Sequence, residues 1–181
     1  QCNLRFIFWG RIHRQKRLDK AIKLINNIIS KGISEVEFLI IGPDCGELFN
    51  LKNITKKLGI KNNIIFKKEL PLKEIIKLSK FYSFFLQLSD FEGMGMSVIE
   101  SMQLGLIPIV TDVGEISQYC KHNINSIVFK NNHKTSDDIL SVIGNNEKYN
   151  FIKKNSLETW GNALTYKEDI YKNLEIISLN K

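Results

Sequence analysis

Short apolar runs alternate with stretches whose apolar side chains recur every three or four positions, and the alternation persists through most of the chain. Residues 4–9, 36–41, 63–66, 83–88, 107–111 and 126–129 are the runs, each short and apolar enough for a buried strand. Amphipathic repeats lie between them. Leu18, Ala21, Ile22, Ile25, Ile28 and Ile29 share one face of a helix that ends near Gly32. Residues 48–58 read as a helix stopped by Gly59, and residues 71–80 as one with Pro71 near its first turn. Residues 96–104 read as a helix stopped by Gly105, and residues 114–120 as a short one.

Strands that are apolar throughout, separated by helices, imply a parallel sheet covered on both faces. The expected fold class is α/β: a Rossmann-like, doubly wound parallel sheet of about six strands with helices on both faces. The whole chain, residues 1–181, reads as one such domain with extra C-terminal helices. In that tail, residues 130–138 are polar and loop-like, and residues 136–144 and 147–157 read as helices. Residues 164–179 read as a last amphipathic helix, with Tyr171, Leu174, Ile177 and Ser178 roughly on one side. No internal repeat or low-complexity linker is present.

Doubly wound sheets bind ligands beyond the carboxyl ends of their strands, so the turns there carry the candidate chemistry. The richest is Asp90-Phe91-Glu92-Gly93-Met94-Gly95-Met96-Ser97-Val98-Ile99-Glu100, between an apolar strand and a helix. Its glycines allow close backbone approach to a ligand, and the helix N-terminus offers free N–H groups to an anion. Glu92 and Glu100 stand eight positions apart and can accept hydrogen bonds from sugar hydroxyls. The second turn is Gly10-Arg11-Ile12-His13-Arg14-Gln15-Lys16, after the first strand. Arg11 brings a planar fork and Lys16 a compact charge, and both can reach phosphate oxygens. His13, Arg14 and Arg17 read as surface residues. The glycine turn lacks the Lys-Ser/Thr ending of a P-loop, and the first strand lacks the Gly-x-Gly-x-x-Gly of a dinucleotide site.

Composition narrows the field further. With 43% hydrophobic and 25% charged residues the chain is globular, and no apolar run approaches the length needed to span a bilayer. It begins at Gln1, immediately before a strand, which implies that an upstream part is missing. Cys2, Cys45 and Cys120 are scattered, with no metal-ligand spacing and no nearby His, as expected of reduced thiols in a cytosolic protein. The net charge of +7 favours anionic partners. No basic block is interleaved with aromatics, so nucleic acid is not expected among them.

The two turns together resemble the C-terminal domain of the retaining glycosyltransferases of family 4. That family pairs a Gly-Arg-x4-Lys loop with Glu-x7-Glu and then Glu-Ala-Met-x-x-Gly-x-Pro-Val. Here the second motif reads from Glu92 through Glu100-Ser101-Met102-Gln103-Leu104-Gly105-Leu106-Ile107-Pro108-Ile109-Val110. Met94 stands where Phe is usual and Ser101 where Ala is usual. Thr111-Asp112-Val113-Gly114-Glu115 resembles the family's Gly-Gly-x-x-Glu turn, with Val113 in place of the first Gly. The resemblance covers residues 4–130 and implies the GT-B fold, two Rossmann-like domains with a cleft between them, of which the N-terminal acceptor domain would be absent here.

The resemblance assigns roles residue by residue. Arg11 and Lys16 would hold the donor pyrophosphate, and Glu92 would contact the donor sugar near the reaction centre. Gly10, Gly93, Met94, Gly95, Met96 and Ser97 would line the sugar and phosphate, and Glu100 would accept from the ribose. The base would lie near Leu70, in the segment 67–70. The implied donor is a UDP-sugar or GDP-sugar, with no cofactor and no metal. The implied acceptor is a glycan, lipid-linked or protein group, with cytoplasmic location and peripheral contact at the inner face of the membrane where the acceptor is a lipid. Nothing in the sequence reads as a strong amphipathic anchor. The alternatives are a GT-B-fold sugar-nucleotide epimerase or hydrolase, and a non-catalytic nucleotide-binding module.

Overall fold

The computed structural model describes residues 4–161; the amphipathic segment expected at 164–179 and Cys2 lie outside the described residues. Six parallel strands form one sheet in the order β3-β2-β1-β4-β5-β6. They are β1 (Arg5–Trp9), β2 (Glu37–Ile41), β3 (Ile64–Lys67), β4 (Phe84–Gln87), β5 (Ile107–Val110) and β6 (Ile127–Val128). The helices are α1 (Leu18–Ser30), α2 (Leu48–Lys57), α3 (Leu72–Ser79), α4 (Met96–Gln103), α5 (Ile116–Tyr119), α6 (Asn132–Ile143) and α7 (Asn146–Trp160). This is the doubly wound α/β fold that the apolar runs imply. Parallel crossovers are right-handed, so α1 and α2 cover one face while α3, α4 and α5 cover the other. In the tail, α6 packs on α1 and α7 on α4.

The centre of the sheet is aromatic. Phe6 stacks on Phe84 with ring centroids 5.2 Å apart, and Trp9 meets the edge of Phe85 at 4.6 Å. Phe6, Phe8, Phe84 and Phe85 are fully buried. Truncating one such ring to Ala costs about 3–5 kcal/mol, so these rings hold β1 against β4. That pairing matters because strand order reverses between β1 and β4, and their carboxyl ends form the crevice where this fold takes ligands.

One stretch departs from the expected pattern. The polar run at 130–138 is not a loop: α6 begins at Asn132, capped by Asn131, whose side chain accepts from the Lys134 amide. Its inward face carries Thr135 and Ser136 beside Ile139 and Val142, and Ser136 Oγ lies 2.7 Å from Asn27 Oδ1 on α1. Hydrogen-bonded hydroxyls occupy buried positions there, which hides the helical period from a reading of apolar residues alone.

Candidate functional site at the switch point

The loop after β1 is zipped to the loop after β2. The Gly10 amide donates to Ile41 O at 3.0 Å, and the Ile12 amide to Pro43 O at 2.9 Å. A Cβ on Gly42 would sit 1.8 Å from Gly10 O, so only glycine permits this approach. Asp44 then caps α2, and the amides of Leu48, Gly46 and Glu47 hold its carboxyl below the usual range. His13 Nδ1 accepts from the Gln15 amide and starts a single 3-10 turn over Arg14–Lys16. Arg17 closes that turn in the left-handed region, at φ 46°. Such a conformation costs a non-glycine residue about 1–3 kcal/mol. The guanidinium offsets it, bonding Asp19 at 3.0 Å and Asp90 at 2.9 and 3.1 Å.

These bonds also join the two strands' loops. The Asp90 amide donates to Gln15 O at 3.0 Å, and Gln15 Nε2 donates to Phe91 O at 2.8 Å. Burial, the largest single influence, would raise the Asp19 carboxyl, but the hydrogen bond and charge of Arg17, with the Lys20 amide and the charge of Lys23, together outweigh it and hold the group low. Asp90 is likewise held low, with desolvation opposing and Lys20 and Arg17 prevailing.

The junction centres on Glu92. Its Oε1 accepts from Lys16 Nζ at 2.6 Å, from Ser89 Oγ at 2.6 Å and from Gln87 Nε2 at 3.1 Å. Both side chains of the ion pair are mostly buried, 14% and 9% exposed. All three bonds converge on one oxygen, which leaves Oε2 as the one a ligand can use. The supports are themselves supported: Gln87 Oε1 accepts from Ser97 Oγ at 2.9 Å, and Thr111 Oγ1 donates to Ser89 O at 2.6 Å. The second carboxylate is pinned differently. Trp9 Nε1, at the end of β1, donates to Glu100 Oε2 on α4 at 2.7 Å.

The turn from Glu92 to Gly95 is aimed by its carbonyls. A Cβ on Gly114 would meet Glu92 O at 1.9 Å, so that carbonyl lies against the β5–α5 loop. The Glu115 amide donates to Gly93 O at 3.1 Å, and Tyr119 Oη donates to Met94 O. Three successive carbonyls therefore face α5. Because C=O and N–H of one planar peptide point in opposite directions, the amides of Gly93, Met94 and Gly95 face the other way. Gly95 then opens α4 in the left-handed region at φ 68°, with no side chain capping the helix. The first N–H groups of α4 are left for an anion, at the positive end of the helix dipole.

The expected site residues thus fall into two groups. Lys16, Glu92, Ser97 and the turn of Gly93, Met94, Gly95 and Met96 lie on the β4 side, and Lys16 and Glu92 are in direct contact. Gly10, Arg11 and Leu70 line a groove of about 260 Å³ on the β2–β3 side, with Trp9 and Glu69. Glu100, bonded to Trp9, links the groups. Arg11 is exposed, and among the described residues no hydrogen bond joins it to Lys16. A neighbouring groove of about 490 Å³ runs past Ile12, Pro43, Phe66 and Lys68. Sequence reasoning missed Trp9, Gln87, Ser89 and Tyr119. The readable signal was Gln87, the one polar residue of β4 and wholly buried.

Among the described residues no group of three His, Cys, Asp or Glu side chains could hold a metal ion, and no helix is long and apolar enough to cross a membrane. Residues 3–159 match the family of glycosyl transferases group 1. The chain is 25% identical over 178 residues to the uncharacterized glycosyltransferase MJ1607 of Methanocaldococcus jannaschii, covering 92% of this chain and 44% of that protein. It spans less than half the length of the curated relatives it matches. In fold it is similar to Anabaena Alr3699/HepE in complex with UDP and glucose, at TM-score 0.83 and 17% identity over 97% of this chain and 48% of that one. It is also similar to the C-terminal domain of the group 1 glycosyl transferase LpcC from Francisella tularensis, at TM-score 0.74 and 19% identity over 87% of this chain and 85% of that one.

Proposed function

The chain belongs to the glycosyl transferases group 1 family, and from that premise we propose that it is the donor-binding, C-terminal half of a GT-B glycosyltransferase of the retaining family 4. The observation that carries the reading is the junction itself: a carboxylate fixed by Lys16, Ser89 and Gln87 stands beside amides turned to one side and an uncapped helix N-terminus. A nucleoside-diphosphate sugar needs these parts in this order. Its phosphates take the α4 amides, Lys16 and Arg11; its sugar hydroxyls take Glu92 Oε2; its ribose takes Glu100; its base takes the groove at Leu70. That LpcC matches as an isolated C-terminal domain, and HepE as a complex with UDP, supports the reading.

In the proposed reaction the bond between the anomeric carbon and the diphosphate oxygen breaks, and its electron pair leaves with the diphosphate. Arg11, Lys16 and the amides offset that charge, so the reading calls for no metal ion. The acceptor hydroxyl bonds the anomeric carbon on the face just vacated, and its proton passes to the departing phosphate. The α4 amides and the Glu92 cluster are fixed before donor arrives, so little reorganisation is needed. Acceptor contacts would come from the N-terminal half.

The test is calorimetric titration with UDP, GDP and ADP in the presence of EDTA, on the parent chain and on Glu100→Gln and Arg11→Ala. One nucleotide should bind, and each substitution should weaken it about tenfold, as the loss of one charged hydrogen bond implies. Equal binding by parent and both variants would contradict the assignment.

A further inference from the structure

The two groups of site residues meet at one side-chain bond. Trp9 is the last residue of β1 and Glu100 lies on α4, and the indole Nε1 donates to Glu100 Oε2 at 2.7 Å. That is the short end of the range for a hydrogen bond to an ionised group. Among the described residues it is the one hydrogen bond the Glu100 carboxylate makes, so Oε1 is open. The indole itself is fixed: its ring meets the edge of Phe85 at 4.6 Å, and only 5% of the residue is exposed. It also walls the groove of about 260 Å³ that Gly10, Arg11 and Leu70 line. A buried indole needs an acceptor, but a backbone carbonyl would meet that need. Here the acceptor is a half-buried carboxylate, and the bond spans the reversal of strand order between β1 and β4.

We propose that Trp9 is a positioning residue that fixes Glu100 for the ribose hydroxyls of the donor, so that discrimination against a deoxyribose nucleotide depends on the indole. The inference rests on the donor-binding reading above. In a nucleoside diphosphate the ribose lies between the base and the phosphates. The Trp9–Glu100 bond links the two parts of the site in the same way, with the groove at Leu70 on one side and α4 on the other. A free glutamate samples several rotamers, and ordering it when a ligand arrives costs affinity. The indole makes that ordering part of the fold. Its N–H can only donate, so the bond favours the ionised carboxylate, and Oε1 stays open to accept a hydroxyl proton. Phe at position 9 would keep a ring against Phe85 and lose the bond. Glu100 would then keep its charge but not its direction.

The test is calorimetric titration of the parent chain, Trp9→Phe, Glu100→Gln and the double variant with UDP, GDP and their 2′,3′-dideoxy forms. Thermal melts check folding. The parent should favour the ribose form of the nucleotide it binds by about tenfold or more. Trp9→Phe should weaken that form about tenfold, leave the dideoxy form within about twofold, and add little to Glu100→Gln. A second readout keeps Trp9 in place. The chain's other tryptophan is Trp160, so in Trp160→Phe the emission belongs to Trp9 alone. It should shift on saturation with the ribose nucleotide and less with the dideoxy form. Equal weakening of both forms by Trp9→Phe, additive losses in the double variant, or a Trp9 emission indifferent to the ribose would each overturn the proposal. A parent that binds both forms alike would overturn it and leave the nucleotide site standing. A parent that binds neither UDP nor GDP would overturn the donor reading and this inference with it.

Discussion

The β1–β4 junction and the segment 48–81 hold much of the molecule's charge and treat it in opposite ways. At the junction Lys16, Arg17, Lys20, Asp19, Asp90 and Glu92 are matched pairwise or better, and several are half-buried. Of the nine lysines in residues 48–81, all exposed, Lys77 alone forms an ion pair among the described residues, with Glu74. Paired, partly desolvated charges have one geometry, which suits binding a ligand at a fixed place. Unpaired, solvated charges have none, and act only through the field they sum to. The difference explains how one chain can carry a precise pocket and many solvated lysines without either disturbing the other.

Substitutions at the two regions should differ in kind. Glu92→Ala strands the ammonium of Lys16 and the buried donors Ser89 and Gln87. It should lower stability by about 3 kcal/mol in urea unfolding and, on the proposed function, the transfer rate of the full-length protein by about a hundredfold or more. Gly114→Ala forces a Cβ against Glu92 O at a left-handed φ of 52°. It should cost about 2 kcal/mol and weaken nucleotide binding, because the turn must move. Tyr119→Phe removes the hydroxyl that bonds Met94 O and should cost about 1 kcal/mol, with a smaller loss of affinity. Lys77→Ala, in the segment 48–81, should change stability by less than about 0.5 kcal/mol. A large effect of Lys77→Ala would break the comparison.

Acid should distinguish the regions too. Asp19 and Asp90 are held below their ordinary 3.8. A depressed carboxyl contributes stability that is fully present above its unfolded value and is lost as pH falls through the folded one. Urea midpoints measured downward from pH 5 should therefore fall as the pH passes below 3.8, and Asp19→Asn should flatten that limb. Cys120, by contrast, is closed to titration: burial pushes its thiol up to about 12, so thiol reagents should modify exposed Cys45 first.

The fold was legible because its strands are apolar on both faces and its helices are amphipathic, which is the pattern a doubly wound sheet imposes. Phe84-Phe85-Leu86 cannot be an exposed edge, and in the structure β4 is central. Element ends were less legible: the hydroxyls of Thr135 and Ser136 stand in for apolar positions in α6. Of the candidate site, what local spacing carries is visible in the sequence, since Gly-Arg-x4-Lys and Glu-x7-Glu each lie within one turn and its helix. What holds these motifs is not. Trp9 bonds Glu100 across 91 positions and Lys16 bonds Glu92 across 76. No period or spacing encodes such contacts; they follow from β1 pairing with β4, which only the folded sheet brings about.

The most direct test of the central claim, that nucleotide binds at the paired junction and not among the lysines of residues 48–81, is to follow backbone amide NMR signals while UDP is added. The account predicts that the largest shifts fall on Gly93, Gly95, Met96, Ser97 and Gly10, with Lys56, Lys73 and Lys80 unmoved. Shifts concentrated in residues 48–81, with the Gly93–Ser97 amides unchanged, would contradict it.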